Sequence, residues 1–301
     1  MNRVCLSDFK FTAWSTRLRN TIKKALETQP NKFTVDIVDG LPKEKYDLLF
    51  LCGIRSITKS NLDIDQLKNL SKYIIEFGDT IDDPRDKGAN LYFFFNPSEK
   101  KIDGKKFLPK IIDENFLYPE QEKKLTIYVD HYAHKNLQDA ELSRKAIKFV
   151  FQQIMKLKSL DMQFDIFYHS DVGIEKNPKL INFPKFKNQN YKFINFEEIC
   201  KYYRKTHLFF PTHHETQGML AQEIGLCGGM TILQPWMYPK ETHHQFKHML
   251  YDFENPLDIY KLISFLNDPN FIEKNREHTL KYCSNSLFNK IFLKEVSNLI
   301  E

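Results

Sequence analysis

Glycine is scarce in this chain, with 10 in 301 residues. The turn DHYAHKN (130–136), which follows an apolar run, has none. That argues against the glycine-rich phosphate loop of the usual nicotinamide- and flavin-binding folds. The five cysteines, Cys5, Cys52, Cys200, Cys227 and Cys283, are scattered and odd in number, and no two form a C-x-x-C pair. This pattern favours reduced thiols in a cytosolic compartment and disfavours a structural zinc site. No apolar run reaches 18 residues, so no membrane span is expected. The opening MNRVCLSDFKFTAW lacks a continuous apolar core, so no signal peptide is expected and the reading is a cytoplasmic protein. Charge is also modest, at +5 overall. Residues 1–120 carry 20 Lys/Arg against 18 Asp/Glu and the remainder 24 against 21, with no basic tail. A general nucleic-acid footprint is therefore weak, while phosphate ligands remain compatible.

What the chain does have is apolar bulk. Hydrophobic residues make up 42% and include 26 Phe and 14 Tyr, enough to bury one large or two medium cores. Apolar runs predict strands at 2–7, 33–38, 46–52, 72–77, 91–95, 125–130, 163–168, 191–195, 207–210 and 230–234. Helical periodicity appears at 15–28, 63–71, 137–158, 197–204, 216–226, 256–266 and 280–299. Short apolar strands alternating with helices indicate an α/β protein with mostly parallel sheets covered on both faces. Two such units in succession are expected, with a boundary in the proline- and charge-containing stretch 109–124. Open α/β sheets bind ligands beyond the C-terminal ends of their strands, so the polar residues there are the candidates.

After the strand 125–130 come His131, His134 and Lys135, followed by a helix start near Asn136. Lys135 and His131 are candidate anion contacts beside free helical N–H groups, against the alternative of an ordinary charged loop. Ser170 follows the next strand as a further ligand candidate. Asn195 and Glu198 form a capping pattern, while the backbone at Ile194 to Phe196 is placed to hold a flat ring with Phe196 packing on it.

Residues 206–237, THLFFPTHHETQGMLAQEIGLCGGMTILQPWM, carry the most information. A strand, a turn, a helix with Glu215 and Glu223, and a second strand follow one another. Thr212 and Glu215 also fit a capping box, so Glu215 reads either as helix punctuation or as a site residue. Glu223 sits among Ala221, Ile224 and Leu226, where an acid needs a partner. Vicinal ribose hydroxyls are one such partner. Gly218 removes a side chain where a ligand could approach, and Gly225, Gly228 and Gly229 are read as a flexible helix end. His213, His214, His243 and His244 have no recognisable metal-ligand spacing, so no protein-held metal is expected.

The string Glu215-Thr-Gln-Gly-Met-Leu-Ala-Gln-Glu223, with Lys135 upstream and a long terminal helix downstream, resembles the retaining GT-B glycosyltransferases that carry a Glu-x7-Glu motif. The resemblance covers residues 120–300. It implies two Rossmann-like domains facing a cleft, at 1–118 for the acceptor and 119–276 for the nucleotide-sugar. A C-terminal segment at 277–301 would cross back to the first domain. It also implies that Glu215 lies beside the donor sugar, that Glu223 holds the ribose, and that Lys135 meets the diphosphate. His131 stands where the family has an arginine. Ile194 to Phe196 would face the base, and Thr216, Gln217, Gly218 and Met219 the phosphates and sugar. The implied activity is transfer of a sugar from a nucleotide-sugar, a UDP-sugar in the first instance, to a hydroxyl acceptor, without a metal or tightly bound cofactor.

Acceptor-side candidates are Trp14 and Arg17 after the first strand and Asp79 after the fourth. The acceptor is read as a saccharide or small hydroxylated molecule. The alternatives are a glucosyltransferase acting on hydroxymethylated DNA bases, and an inactive binding module of the same fold. DNA is the less favoured acceptor because the charge is evenly spread.

Overall fold

The computed structural model describes residues 1–8, 13–52, 64–78, 88–98, 100–122, 124–131, 137–170, 187–188, 196–214, 219–252 and 254–301. The chain divides into two compact units, 1–111 with 283–301, and 112–282.

The first unit has six strands, β1 (Asn2–Asp8), β2 (Phe33–Asp39), β3 (Tyr46–Cys52), β4 (Ser71–Gly78), β5 (Leu91–Phe94) and β6 (Lys105–Phe107). They form one sheet in the order β2-β1-β3-β4-β5-β6, and every pairing is parallel. One face packs on α1 (Ala13–Glu27) and on the terminal helix, here α8 (Asn285–Ile300). The other packs Cys5, Leu49, Leu51 and Ile74 against Leu67 of α2 (Ile64–Leu70). This division follows from the period of two along each strand. Leu18 and Ile22 of α1 and Phe288, Phe292 and Val296 of α8 enter the same core as Phe50, Phe77 and Phe93. Burying each large apolar side chain stabilises by about 1.5–3 kcal/mol.

In the second unit, β7 (Leu125–His131), β8 (Phe164–Ser170), β9 (Lys187–Asn188), β10 (Leu208–Pro211), β11 (Met230–Leu233) and β12 (His248–Leu250) form the order β12-β11-β10-β7-β8-β9, again all parallel. Numbered within the unit this is 3-2-1-4-5-6, the Rossmann order, with its switch point between β7 and β10. On one face α3 (Leu137–Ser159), α6 (Ile259–Leu266) and α7 (Phe271–Leu280) cover Ile127, Val129, Leu208, Phe210 and Ile232. On the other, Tyr128 meets Tyr203 of α4 (Phe196–Lys205) edge-on, with 5.5 Å between ring centroids.

Several predicted boundaries move. The helix expected at 216–226 is α5, Leu220–Leu226, with Met219 at its N-cap position. Glu223 is therefore in its first turn rather than two turns along. Thr212 is tied to the sheet, its N–H (3.1 Å) and hydroxyl (3.0 Å) both donating to the Asp130 carbonyl, so α5 is not continuous with it. The helix expected at 280–299 is α8, which begins only at Asn285. α7 stops at Leu280, and Ser284 caps α8 by accepting from the Leu287 N–H at 3.0 Å. The expected strand 191–195 lies outside the described residues. The short edge strands β6, β9 and β12 and the weakly amphipathic α7 carry too little apolar periodicity to be read from sequence.

Candidate functional site

The sheet order directs attention to the C-terminal ends of β7 and β10. In register there, Asp130 pairs with Pro211, and His131 pairs with Ser170 of β8. Two residues singled out from sequence, His131 and Ser170, thus end neighbouring strands. Asp130 is 6% exposed and shares the α4-facing side of β7 with Tyr128. His213, 3% exposed, sets its Nε2 3.7 Å from Asp130 Oδ2.

Glu223 is 5% exposed. Its carboxylate and that of Asp130 both act on Tyr203. Burial first, then the Glu223 and Asp130 charges, hold the Tyr203 hydroxyl well above the usual phenol range. Tyr203 therefore stays protonated; its hydroxyl is hydrogen-bonded with Tyr128 and lies within the field of both acids. Cys227, after α5, feels the same charge. Burial, then Cys200 and Glu223, raise its thiol well above the ordinary value. Buried carboxylates at a Rossmann switch point can accept hydrogen bonds from a ligand diol.

The helix carrying Glu223 is fixed from behind. The Arg276 guanidinium donates to the carbonyls of Leu226, Leu117 and Glu114, and Asn275 Nδ2 donates to the Gly228 carbonyl at 3.0 Å. Gln121 Nε2 donates to the carbonyls of Thr206 and Cys227. These donors satisfy the carbonyls at and just beyond the C-terminus of α5. Arg204 holds the segment before β7, donating to the Phe116 carbonyl at 3.0 and 2.6 Å and lying 4.2 Å from the Tyr118 ring centroid.

The glycines after Glu223 are not a flexible end. A Cβ on Gly225 would come 2.4 Å from Thr279 Oγ1, so the glycine lets α5 press on α7. Gly228 has φ +87°, the left-handed position that ends a helix, and packs on Ile272.

The histidines read as polar loop residues have structural contacts. His243 Nε2 lies 3.1 Å from the Tyr238 carbonyl, and burial lowers its pKa. His244 meets Tyr282 edge-on. Among the described residues no group of three or more His, Cys, Asp or Glu side chains is arranged to hold a metal ion. Nor is any helix among them long and apolar enough to cross a membrane. A cavity of about 580 Å³ lies at the other end of this sheet, around Thr126, Phe164 and Lys158. Its Lys124 and Lys205 are paired with Asp165 and Glu122, and it is remote from the strand ends that carry the acids.

Of the remaining candidates, Lys135, Ile194, Glu215, Thr216, Gln217, Gly218 and Asp79 lie outside the described residues. Phe196 opens α4, and Met219 stands at the start of α5. Trp14 and Arg17 lie within α1, which begins at Ala13, not in a loop ahead of it. Asp130, His213 and Tyr203 were not anticipated as site residues. Asp130 and His213 had one legible signal, a polar residue at or just past the end of an apolar strand. Tyr203 had none, because its neighbours come from β7 and α5.

No protein-family model matches the chain, and no curated protein matches it by sequence. Solved structures do. Sucrose-phosphate synthase from Thermosynechococcus elongatus superposes with a TM-score of 0.62 at 13% identity, covering 100% of this chain and 99% of that one. The chain has the GT-B fold. A putative UDP-N-acetylglucosamine 2-epimerase from Listeria monocytogenes gives 0.62 at 11% identity, over 96% and 94%. An alpha-glucosyltransferase in complex with UDP and a 13-mer DNA containing a central A:G mismatch gives 0.58 at 11% identity, over 100% of both chains. Proteins named for differing activities are thus similar to this chain along nearly its whole length.

Proposed function

We propose that this protein is a retaining glycosyltransferase that moves a sugar from a UDP-sugar to a hydroxyl acceptor. The observation that carries the reading is the buried Glu223 in the first turn of the helix after β10, at the Rossmann switch point and in electrostatic contact with Tyr203 beside Asp130. Glu223 accepts hydrogen bonds from the two ribose hydroxyls, as an acid does in dinucleotide sites. Lys135 and His131 face the departing diphosphate and stabilise its charge. Ile194 and Phe196 hold the base, with Ser170 at the adjacent strand end. Glu215 and the backbone of Thr216, Gln217, Gly218 and Met219 position the sugar and phosphates. Retention is achieved without a covalent glycosyl-enzyme, the donor phosphate receiving the acceptor proton. Trp14, Arg17 and Asp79 belong to the acceptor side, and no protein-held metal is required.

Two substitutions test this. Glu223→Gln should weaken UDP and UDP-sugar binding alike, by about 2–5 kcal/mol, because a buried charged hydrogen bond is lost. Glu215→Gln should leave UDP affinity nearly intact and depress transfer far more. Calorimetric titrations with UDP and UDP-sugars, with transfer rates measured in parallel, read both. Unchanged UDP affinity in the Glu223 variant removes the ribose role, and unchanged turnover in the Glu215 variant removes the catalytic one. Epimerisation of the UDP-sugar with no transfer to any acceptor would reassign the reaction.

The acceptor is proposed to be a saccharide or small hydroxylated molecule. A hydroxymethylated base in DNA is the second reading, favoured by the full-length likeness to the glucosyltransferase solved with DNA. Duplexes with and without hydroxymethylcytosine, offered beside glycan acceptors, separate the two.

A further inference from the structure

The segment after β11 opens with Gln234-Pro235-Trp236. Gln234 directly follows the last residue of β11, one strand beyond β10 on the side of the switch point away from β8 and β9. The Trp236 ring is half-buried, and its orientation is set by its indole N–H, which donates to Gln234 Oε1 at 2.6 Å. Because an indole is a donor only, this bond also fixes which way the Gln234 amide points. Gln234 is 1% exposed, its backbone N–H is directed at Met237 Sδ at 3.3 Å, and among the described residues its Nε2 has no hydrogen-bond partner. A buried unpaired amide donor is destabilising and in native proteins calls for an explanation such as a functional role. Here it accompanies an aromatic ring held with one part open at the C-terminal edge of the sheet.

A ligand lying across a Rossmann switch point extends from the 1-2-3 half of the sheet to the 4-5-6 half. With the base on the β8–β9 side, the part of a nucleotide-sugar that reaches β11 is the sugar. Pyranose rings present apolar C–H faces, and an indole face is large, rigid and apolar. We propose that Trp236 is the platform on which the sugar ring of the donor stacks, with Gln234 as the residue that positions the indole. The proposal rests on the nucleotide-sugar reading above.

The chain has two tryptophans, Trp14 and Trp236, so emission can be apportioned. Calorimetry of wild type, Trp236→Phe and Trp236→Ala would use UDP, GDP, UDP-glucose, UDP-N-acetylglucosamine and GDP-mannose. The Ala variant should bind the preferred nucleotide-sugar about three- to tenfold more weakly, the range of one aromatic contact, with Phe intermediate. Affinity for the free nucleotide should stay within about twofold of wild type. Wild-type emission should change with the nucleotide-sugar but not with the nucleotide, and the change should vanish in Trp236→Phe, which keeps Trp14. Equal losses for nucleotide and nucleotide-sugar, or no loss, would overturn the platform while leaving the donor reading standing. An emission change that persists in Trp236→Phe overturns it even if the Ala variant does not fold. Wild-type protein that binds none of the five ligands overturns both.

Discussion

All ten histidines of the chain lie in residues 112–282, and the unit made of 1–111 and 283–301 has none. Among the described residues the first unit buries seven polar or charged side chains and the second sixteen. The first unit is organised around stacked phenylalanines, Phe77 with Phe93 at 5.6 Å and Phe288 with Phe292 at 5.5 Å. The second puts Asp130, His213 and Glu223 near the strand ends of its sheet. Both units share parallel α/β construction. Burying polar groups is costly unless they are paired, so their concentration in one unit marks where ligand chemistry is expected.

The largest effect that would sharpen this contrast is removal of α8. Truncation after Tyr282 strips Phe288, Phe292 and Val296 from the first core. The expected loss exceeds about 5 kcal/mol, comparable with the whole stability of a domain. Hydrogen exchange read separately over 1–111 and 112–282 should show protection lost in the first segment. Retained protection there would mean that α8 is dispensable to that core.

A smaller effect is expected in the second unit from Arg276→Ala, which strands the carbonyls of Leu226, Leu117 and Glu114. The predicted cost is about 2–3 kcal/mol in a denaturant melt, with weaker nucleotide binding because α5 loses its anchor. Arg276→Lys should recover only part of it, since an ammonium lacks the guanidinium fork. Full recovery by lysine would reduce the role of Arg276 to charge alone.

The smallest predicted effect is pH dependence confined to the second unit. Burial lowers the pKa values of His207 and His243, and the His207 Nδ1 accepts from the Thr126 N–H. Below the unfolded value of about 6.5 the unfolded chain therefore binds more protons than the native one. Stability is full above that pH and declines as pH falls through the lowered folded values. Exchange protection over 112–282 should weaken between about pH 7 and 5 more than that over 1–111. His207→Gln should flatten the slope, and an unchanged slope would exclude this histidine as a source.

Much of the fold was legible because each long strand is a continuous apolar run bounded by polar residues. The runs 33–38, 46–52 and 125–130 lie within one residue of β2, β3 and β7. Edge strands such as β12 were not legible, because three residues with one exposed end leave no periodic trace. The start of α5 was misplaced because a capping box at Thr212 and Glu215 looks the same in sequence whether or not the chain turns helical there. In the site, Glu223 stood out as an acid in an apolar stretch, and it is buried as that predicts.

The sequence by itself determined the α/β class, the two-unit organisation and the acid at 223, since these depend on local period and local polarity. The tertiary structure alone decided that β7 and β10 are neighbours. That brings the charges of both Asp130 and Glu223 to bear on Tyr203, and turns Gly225 from part of a flexible helix end into a contact with Thr279. Strand order is set by long-range packing of sheet faces, and no local pattern of residues encodes it.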